Sequence, residues 1–327
     1  MPLQILTLVG PTGIGKTEIA VELAQKSNLE IISADSRQIY KYLDIGTAKP
    51  SKELRKQIKF HMIDVVKPDA LYSAADFVLD VTKVIEDLRQ LGKKFILVGG
   101  SGLYLKALFQ PFFKAPKTDP ELRAELVKKP LAELYGRLKE VDPESATKIH
   151  ANDYQRIIRA LEIYLLTGKT KSEMVKQSNV DLKYIPFYIG LFMPRKLLYE
   201  KIGQRFDLMI EQGLVREVKN LMDMGYDGDL YAFNAIGYHE IFSYLKKRIS
   251  LELAITVAKK KSRAYAKRQF TWFKHQPGII WLEYKDREEV IKKIVELFPA
   301  IASNFLLSSR SPAILTISLF LSWLTAL

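Results

Sequence analysis

Eight consecutive residues, Gly10-Pro11-Thr12-Gly13-Ile14-Gly15-Lys16-Thr17, constrain this chain more than any other stretch. They follow the spacing G-x-x-x-x-G-K-T and stand between segments of different periodicity. Before them, Gln4-Ile5-Leu6-Thr7-Leu8-Val9 reads as a buried strand. After them, Ile19, Val21, Leu23 and Ala24 recur at helical spacing within Glu18 to Lys26. Strand, glycine loop and helix in that order make the pattern a phosphate cradle rather than a text match. The glycines let backbone N–H groups close around an anion at the positive end of a helix dipole. Lys16 adds a mobile cation, and Thr17 a hydroxyl suited to Mg²⁺. The loop alone leaves open which phosphate compound it holds, with a nucleoside triphosphate such as ATP as the default.

The α/β alternation continues beyond the loop. Glu30-Ile31-Ile32-Ser33 is a short strand delivering Ala34-Asp35-Ser36-Arg37-Gln38 at its carboxyl end, one strand over from the glycine loop. In a parallel sheet that edge is where ligands sit, which places Asp35 for chemistry; a turn or cap aspartate is an equal reading from position alone. Phe60 to Val66 is a third strand candidate, and Ser73 opens a helix with Phe77, Val81, Val84, Ile85 and Leu88 on one stripe. Lys94-Phe95-Ile96-Leu97-Val98 is the next buried strand and runs into Gly99-Gly100-Ser101-Gly102. Many P-loop ATPases end such a strand in an aspartate that helps hold Mg²⁺. Two glycines stand here instead, which weakens the ATPase reading and leaves room for close approach to the backbone.

From Pro111 to about Ile185 the alternation stops and only helices are expected. Asp119-Pro120-Glu121 and Asp142-Pro143-Glu144 are matching N-cap-plus-proline starts. A helix from Asp153 to Leu166 turns Ile157, Ile158, Leu161 and Leu165 inward and Gln155, Arg156 and Arg159 outward. Strand character returns at Phe187 to Phe192, and Pro194 opens a helix with Leu198, Ile202, Phe206 and Met209 on its buried stripe. The long helix from Leu251 to His275 interleaves basic residues with aromatics between Lys259 and Phe273, a pattern suited to a phosphate backbone with stacked bases. The expected fold is therefore α/β, a P-loop parallel sheet flanked by helices with an all-helical insertion. Its core spans 1–113 and 186–298, the insertion 114–185, and an apolar tail follows at 299–327.

Bulk properties limit the function classes. The 327 residues carry a net charge of +13, which suits a polyanionic partner. There is no cysteine, so disulfides and thiolate metal sites are excluded, and a reducing cytoplasm is expected. The four histidines (His61, His150, His239, His275) have no metal-ligand spacing. The chain opens directly on its first core strand, with no leader expected. Ser311 to Leu327 carries no charge and sits at the lower length limit for a bilayer span; membrane contact is not expected of it.

Taken together, several segments resemble the tRNA dimethylallyltransferases, or tRNA isopentenyltransferases, of the bacterial type. They are Gly10 to Thr17, Asp35-Ser36-Arg37-Gln38-Ile39-Tyr40, Asp44 to Pro50, Tyr72 to Phe77, Gly99 to Tyr104, Gln155-Arg156-x-x-Arg159-Ala160-Leu161-Glu162, Ala235 to Tyr238 and Ala266-Lys267-Arg268-Gln269. The resemblance runs over about residues 3–297. It implies an enzyme that transfers a dimethylallyl group from dimethylallyl diphosphate to the exocyclic amine of an adenosine. That adenosine lies directly 3′ of the anticodon in tRNAs reading codons that begin with U. The cradle then holds a diphosphate leaving group with Mg²⁺ as cofactor, and the target base leaves its stack to be modified.

Residue roles follow by matching positions. Asp35 looks like the base that accepts the amine proton. Gly10, Pro11, Thr12, Gly13, Ile14, Gly15, Lys16 and Thr17 would bind the diphosphate, with Thr17 also on Mg²⁺. Arg205 matches an arginine facing the diphosphate, and Ser101 stands where the family usually has threonine. Asp35, Ser36, Arg37, Gln38, Ser101, Arg123, Gln155, Arg156, Ile157, Ile158 and Arg159 match tRNA-contacting positions. The implied partner is the anticodon stem-loop of tRNA; a monomer with no obligatory protein partner is expected. Two other readings stand beside this one: an isopentenyltransferase for free AMP, ADP or ATP, and a P-loop kinase or ATPase.

Overall fold

A computed structural model of the chain describes residues 2–113, 115–177 and 182–304, with the side chains of 302–304 left aside. The apolar stretch from Ser311 to Leu327 lies outside the described residues. The elements in chain order are β1 (Leu3–Val9), α1 (Lys16–Ser27), β2 (Leu29–Ala34), α2 (Lys52–Gln57), β3 (Phe60–His61), α3 (Ala74–Gln90), β4 (Lys94–Gly99) and α4 (Gly102–Phe109). Five helices follow: α5 (Pro120–Val127), α6 (Leu131–Val141), α7 (Pro143–Lys148), α8 (Tyr154–Thr167) and α9 (Lys171–Gln177). The chain continues through β5 (Tyr184–Phe192), α10 (Arg195–Glu211), α11 (Leu214–Asp223), α12 (Tyr238–Leu245), α13 (Leu251–Lys274), β6 (Ile280–Glu283) and α14 (Arg287–Leu297). The described residues form two compact units: an α/β unit of Leu3–Leu105 with 184–304, and a helical unit within Lys106–Lys183.

The α/β unit is a six-stranded, all-parallel sheet in the order β3-β2-β4-β1-β5-β6. Its central strands are near-continuous apolar runs because helices cover both faces. On one face Leu6, Leu8, Ile31 and Ile96 pack with Ile19 and Leu23 of α1 and Val290, Ile291 and Ile294 of α14. α3 opens on a capping box: the Ser73 hydroxyl accepts from Asp76 N–H, and the Asp76 carboxylate accepts from Ser73 N–H at 2.9 Å. It buries Phe77, whose ring stacks on Tyr104 of α4 at 4.2 Å between centroids.

Register sets the site. Val9 of β1 and Ala34 of β2 both pair with Gly99 of β4, so three strands end level, with β4 in the middle. Asp35 is therefore two strands from the glycine loop, not one, and the second glycine loop stands between them. Gly99 is required there: a Cβ would lie 2.3 Å from the Ala34 carbonyl oxygen. The strand expected over Phe60–Val66 is only two residues long. Met62 and Asp64 have φ of 62° and 58°, which breaks the extended run, and Val66 rejoins only as a bridge to Tyr40.

The helical unit has its own core, in which Leu126, Leu134, Leu138, Ile149, Ile157, Ile158 and Leu161 pack together. Asp119, Asp142 and Asp153 each cap a helix through the side chain, the first two ahead of a proline. Among the described residues no helix is long and apolar enough to cross a membrane.

Candidate functional site

Three loops leaving β1, β2 and β4 border one cleft of about 260 Å³, lined by Thr12, Gly13, Gly15, Lys16, Thr17, Asp35, Gln38, Gly99, Gly100 and Arg205. The cradle forms as its glycines dictate. Gly10, Gly13 and Gly15 have φ of 144°, 81° and 106°, values that side chains rarely adopt. Gly15 is the N-cap of α1, so the helix points its unpaired N–H groups at the cleft. Pro11 and Ile14 are buried, Ile14 within the apolar core, so their part in the loop is played by backbone and packing rather than by contact through the side chain.

Lys16 folds back across the loop, its Nζ donating to the carbonyls of Gly10 and Pro11 at 2.9 Å each. Burial pushes its ammonium down to about 7; Asp35 opposes that shift and Arg205 adds to it. Arg205 comes from α10, where its Nη2 donates to Thr12 Oγ1 at 2.7 Å. Burial lowers its affinity for a proton, again against the pull of Asp35. One carboxylate and two buried cations therefore share the cleft, and an added anion relieves the repulsion between the cations.

Asp35 sits in the turn after β2. Its Oδ1 accepts from the backbone N–H of Arg37 at 2.8 Å and of Gln38 at 3.3 Å, an Asx-type lock on its orientation. Its Oδ2 has no hydrogen-bond partner among the described residues. Ser101, the first residue past the second glycine pair, accepts from Ser36 N–H at 2.9 Å, so it fixes the turn carrying Asp35. Gln38 accepts from the Ser33 hydroxyl at 3.0 Å and donates to the carbonyls of Thr47 and Ala48 at 3.2 Å. Arg37 donates to the Tyr231 carbonyl at 2.9 Å and lies over that ring at 4.8 Å.

A second cleft of about 290 Å³ shares Thr12, Asp35 and Arg205 with the first and adds Ser36, Arg37, Phe206, Met209, Ser262, Tyr265 and Arg268. It is bordered by both aromatic rings (Phe206, Tyr265) and cations (Arg37, Arg205, Arg268). The donor set suits Mg²⁺ in its usual manner. That ion takes one or two protein oxygens and completes its shell with water and phosphate oxygens. The Thr17 hydroxyl and the Asp35 carboxylate both line the first cleft. Among the described residues no cluster of three acidic or histidine side chains exists that would form an all-protein cage.

Several residues that sequence reasoning passed over shape this site. Glu217 of α11 is a brace: its carboxylate accepts from Ile45 N–H at 2.8 Å, from Asp44 and Gly46 N–H at 3.2 and 3.4 Å, and from Tyr238 OH at 2.6 Å. Burial raises its pKa despite these donors. Tyr238 packs so closely that a Cβ on Gly46 would lie 2.5 Å from its ring. Lys49 has a side chain only 1% exposed and bonds Asp44 at 2.8 Å and Asp64 at 2.6 Å. The segment Asp44–Pro50 is thus fastened from below. Gln269 bridges the two glycine loops. Gln269 and Tyr238 lie in segments that carry the family resemblance but had no role there, whereas Glu217 carried no sequence signal: it is one carboxylate on an amphipathic helix.

The remaining expected tRNA residues lie on the helical unit, and they divide. Gln155 and Arg156 are exposed, and Arg156 pairs loosely with Asp153 at 3.3 Å. Arg123 is half-buried on α5. Ile157 and Ile158, also expected at tRNA-contacting positions, are 0% and 2% exposed, and their side chains pack in the unit's core. Arg159 is not simply a solvated face either. It pairs at 2.6 Å with Glu162, which is fully buried and also accepts from Asp119 N–H at 3.0 Å.

A model of the IPP transferase family matches residues 38–276. Among similar proteins, a tRNA dimethylallyltransferase of Thermoanaerobacter sp. (strain X514) is 47% identical over 309 residues, 90% of this chain and 98% of the relative. That of Thermotoga maritima is 42% identical over 93% of this chain and 99% of its own. Among solved structures, the tRNA isopentenylpyrophosphate transferase of Bacillus halodurans superposes with a TM-score of 0.68 at 37% identity, covering 94% of this chain and 99% of that one. A eukaryotic dimethylallyltransferase acting on tRNA superposes with a TM-score of 0.76 at 31% identity, covering 94% and 80%.

Proposed function

We infer the activity of this chain from the family to which it belongs, the IPP transferases that include the tRNA dimethylallyltransferases: it is a prenyltransferase that modifies tRNA. The proposed donor is dimethylallyl diphosphate. The proposed acceptor is the exocyclic amine of the adenosine 3′ to the anticodon in tRNAs reading codons that begin with U. The observation that carries this reading is the shared cleft, in which the Asp35 carboxylate stands beside Lys16 and Arg205 and not behind a triphosphate-type metal aspartate.

The chemistry follows from that grouping. The allylic C–O bond breaks and its electron pair leaves with the diphosphate, while the adenine nitrogen forms the new C–N bond. Lys16, Arg205 and the N–H groups of the Gly10–Thr17 loop stabilise the negative charge that develops on the leaving oxygen. An adenine amine is a poor nucleophile, so attack coincides with cation character at the allyl carbon. The proton released from the amine passes to Asp35, whose Oδ2 is the available acceptor. Thr17 would hold Mg²⁺ through its hydroxyl, and the ion would supply further positive charge to the diphosphate. Ser101 keeps its role with a serine hydroxyl, holding the Ser36 amide and so the Asp35 turn. We place tRNA contacts on Arg37 and Gln38 of the α/β unit and on Arg123, Gln155 and Arg156 of the helical unit. The enzyme is read as a cytoplasmic monomer.

The test offers labelled dimethylallyl diphosphate with unmodified tRNA, with an anticodon stem-loop and with AMP. Label in tRNA and in the stem-loop is expected. Label in AMP alone would replace this reading with an isopentenyltransferase of free nucleotides.

A further inference from the structure

Gln269 lies on α13 and is 7% exposed, and its amide is engaged at both ends. Its Oε1 accepts from Thr12 N–H at 2.8 Å and its Nε2 donates to the Gly100 carbonyl at 2.9 Å. These two backbone groups lie just past the ends of β1 and β4, where the sheet ladder no longer supplies partners and a buried polar group would otherwise go unpaired. A side-chain amide is suited to that gap because it offers one acceptor and one donor a fixed distance apart. A carboxylate offers acceptors only, and an ammonium donors only. The fit is also steric: a Cβ on Gly100 would lie 2.3 Å from Nε2, so the second glycine of the loop and the glutamine require each other.

Both bonds lead into the reacting groups. Thr12 Oγ1 accepts from Arg205 at 2.7 Å on the cradle side. On the other side Gly100 precedes Ser101, whose Oγ accepts from Ser36 N–H at 2.9 Å, next to Asp35. An unbroken series thus runs Arg205, Thr12, Gln269, Gly100, Ser101, Ser36, Asp35, with the Gln269 side chain bonded to both loops.

We propose that Gln269 is a positioning residue for transfer, setting the separation between the diphosphate cradle and the Asp35 turn. This rests on the prenyl-transfer reading above. A glutamine that only stabilised the fold would move the melting temperature and the amount of folded enzyme. One that sets geometry moves the rate of the transfer step in enzyme that remains folded.

The experiment compares the wild type with Gln269→Glu, which keeps the acceptor for Thr12 N–H but loses the donor to Gly100, and with Gln269→Met, which keeps the volume and neither bond. Single-turnover transfer to tRNA is measured well below each melting temperature, alongside the binding constant for tRNA. The expected result is a rate lower by about 10- to 100-fold in both variants, the scale of a misplacement approaching 1 Å, with tRNA affinity within about threefold. Gly100→Ala is expected to cost a similar factor alone and little more when added to Gln269→Ala, because both act on one contact. Wild-type single-turnover rates in folded Gln269→Glu and Gln269→Met, or full additivity of the Gly100 and Gln269 changes, would overturn the proposal. If Gln269→Glu melts below the assay temperature, Gln269→Met and the Gly100 cycle decide it. A wild type inactive on tRNA would instead refute the underlying function.

Discussion

Lys16 gives the sharpest test of how the cradle works. Burial takes its ammonium from 10.5 to about 7, which corresponds to roughly 5 kcal/mol against the charged form. Before substrate binds, about half of the enzyme at pH 7 and about nine-tenths at pH 8 therefore carries a neutral Lys16. A diphosphate beside Nζ favours the charged form, so binding draws in part of a proton: about 0.4–0.85 at pH 8 for a contact of about 1.5–3 kcal/mol, and close to none at pH 6. Lys16→Met removes that uptake. It also removes a charge-assisted contact of about 1.5–3 kcal/mol, a roughly 10- to 150-fold weaker affinity for dimethylallyl diphosphate below pH 7. The ratio of variant to wild-type dissociation constants then falls as pH rises above 7, by at most about tenfold per unit, and levels off near unity at about pH 8–9. Calorimetric titration without tRNA, in buffers of different ionisation heat, measures both quantities. The difference between wild type and variant cancels the titration of the diphosphate itself. A constant ratio from pH 6 to 9, or equal proton uptake by both proteins at pH 8, would refute the reasoning. Stability supplies an independent sign. Between pH 7 and 10.5 the unfolded chain holds more protons at this site than the folded one, so wild-type stability rises with pH across that window. The thermal gain expected for Lys16→Met is therefore largest at and below pH 7, and it fades as pH rises toward 10.5.

Other expectations concern the groups around the cradle. Asp35→Asn keeps the bonds from Arg37 and Gln38 N–H available but cannot accept the amine proton; transfer should fall by at least about 100-fold with tRNA binding retained, and wild-type turnover would remove Asp35 as the base. Glu217→Ala strands three backbone N–H groups and the Tyr238 hydroxyl; a loss of about 3–5 kcal/mol in denaturant unfolding is expected, and a change under 1 kcal/mol would deny the brace. The two arginines of α8 should separate. Arg156→Glu weakens tRNA binding and flattens its salt dependence by about one ion or more, leaving melting nearly unchanged. Arg159→Glu places a second carboxylate against the buried Glu162 and lowers the melting temperature of the helical unit. Identical behaviour of the two variants would contradict the division drawn from their partners.

What could be read from the residues was local. The glycine loop identified itself because strand, loop and helix are contiguous and because positive φ values at Gly10, Gly13 and Gly15 demand glycine. The caps at Asp119 and Asp142, and the helix starts at Ser73 and Asp153, were visible for the same reason, since a cap bonds within three residues of itself. Asp35 was visible as a carboxylate at a strand end. The strand expected through Val66 was overextended because nothing in Phe60–Val66 marks the left-handed turns at Met62 and Asp64. Ile157 and Ile158 followed from matching a motif as a block, although a helix turning about 100° per residue carries them from the exposed side of Gln155 and Arg156 to the core side.

The sequence by itself determined a glycine loop suited to a phosphate at a helix N-terminus, an acidic residue at the end of a strand, and a helical segment that interrupts the α/β order. Tertiary structure decided what those parts do together. It put β4 between the cradle and Asp35, brought Arg205 onto Thr12, and turned Arg159 toward a buried glutamate. It also joined Gln269 to a backbone amide 257 positions away and Glu217 to one 172 away. Such partners leave no periodicity behind, because a bond between distant segments depends on strand order and on rotation about a helix axis, neither of which neighbouring residues encode.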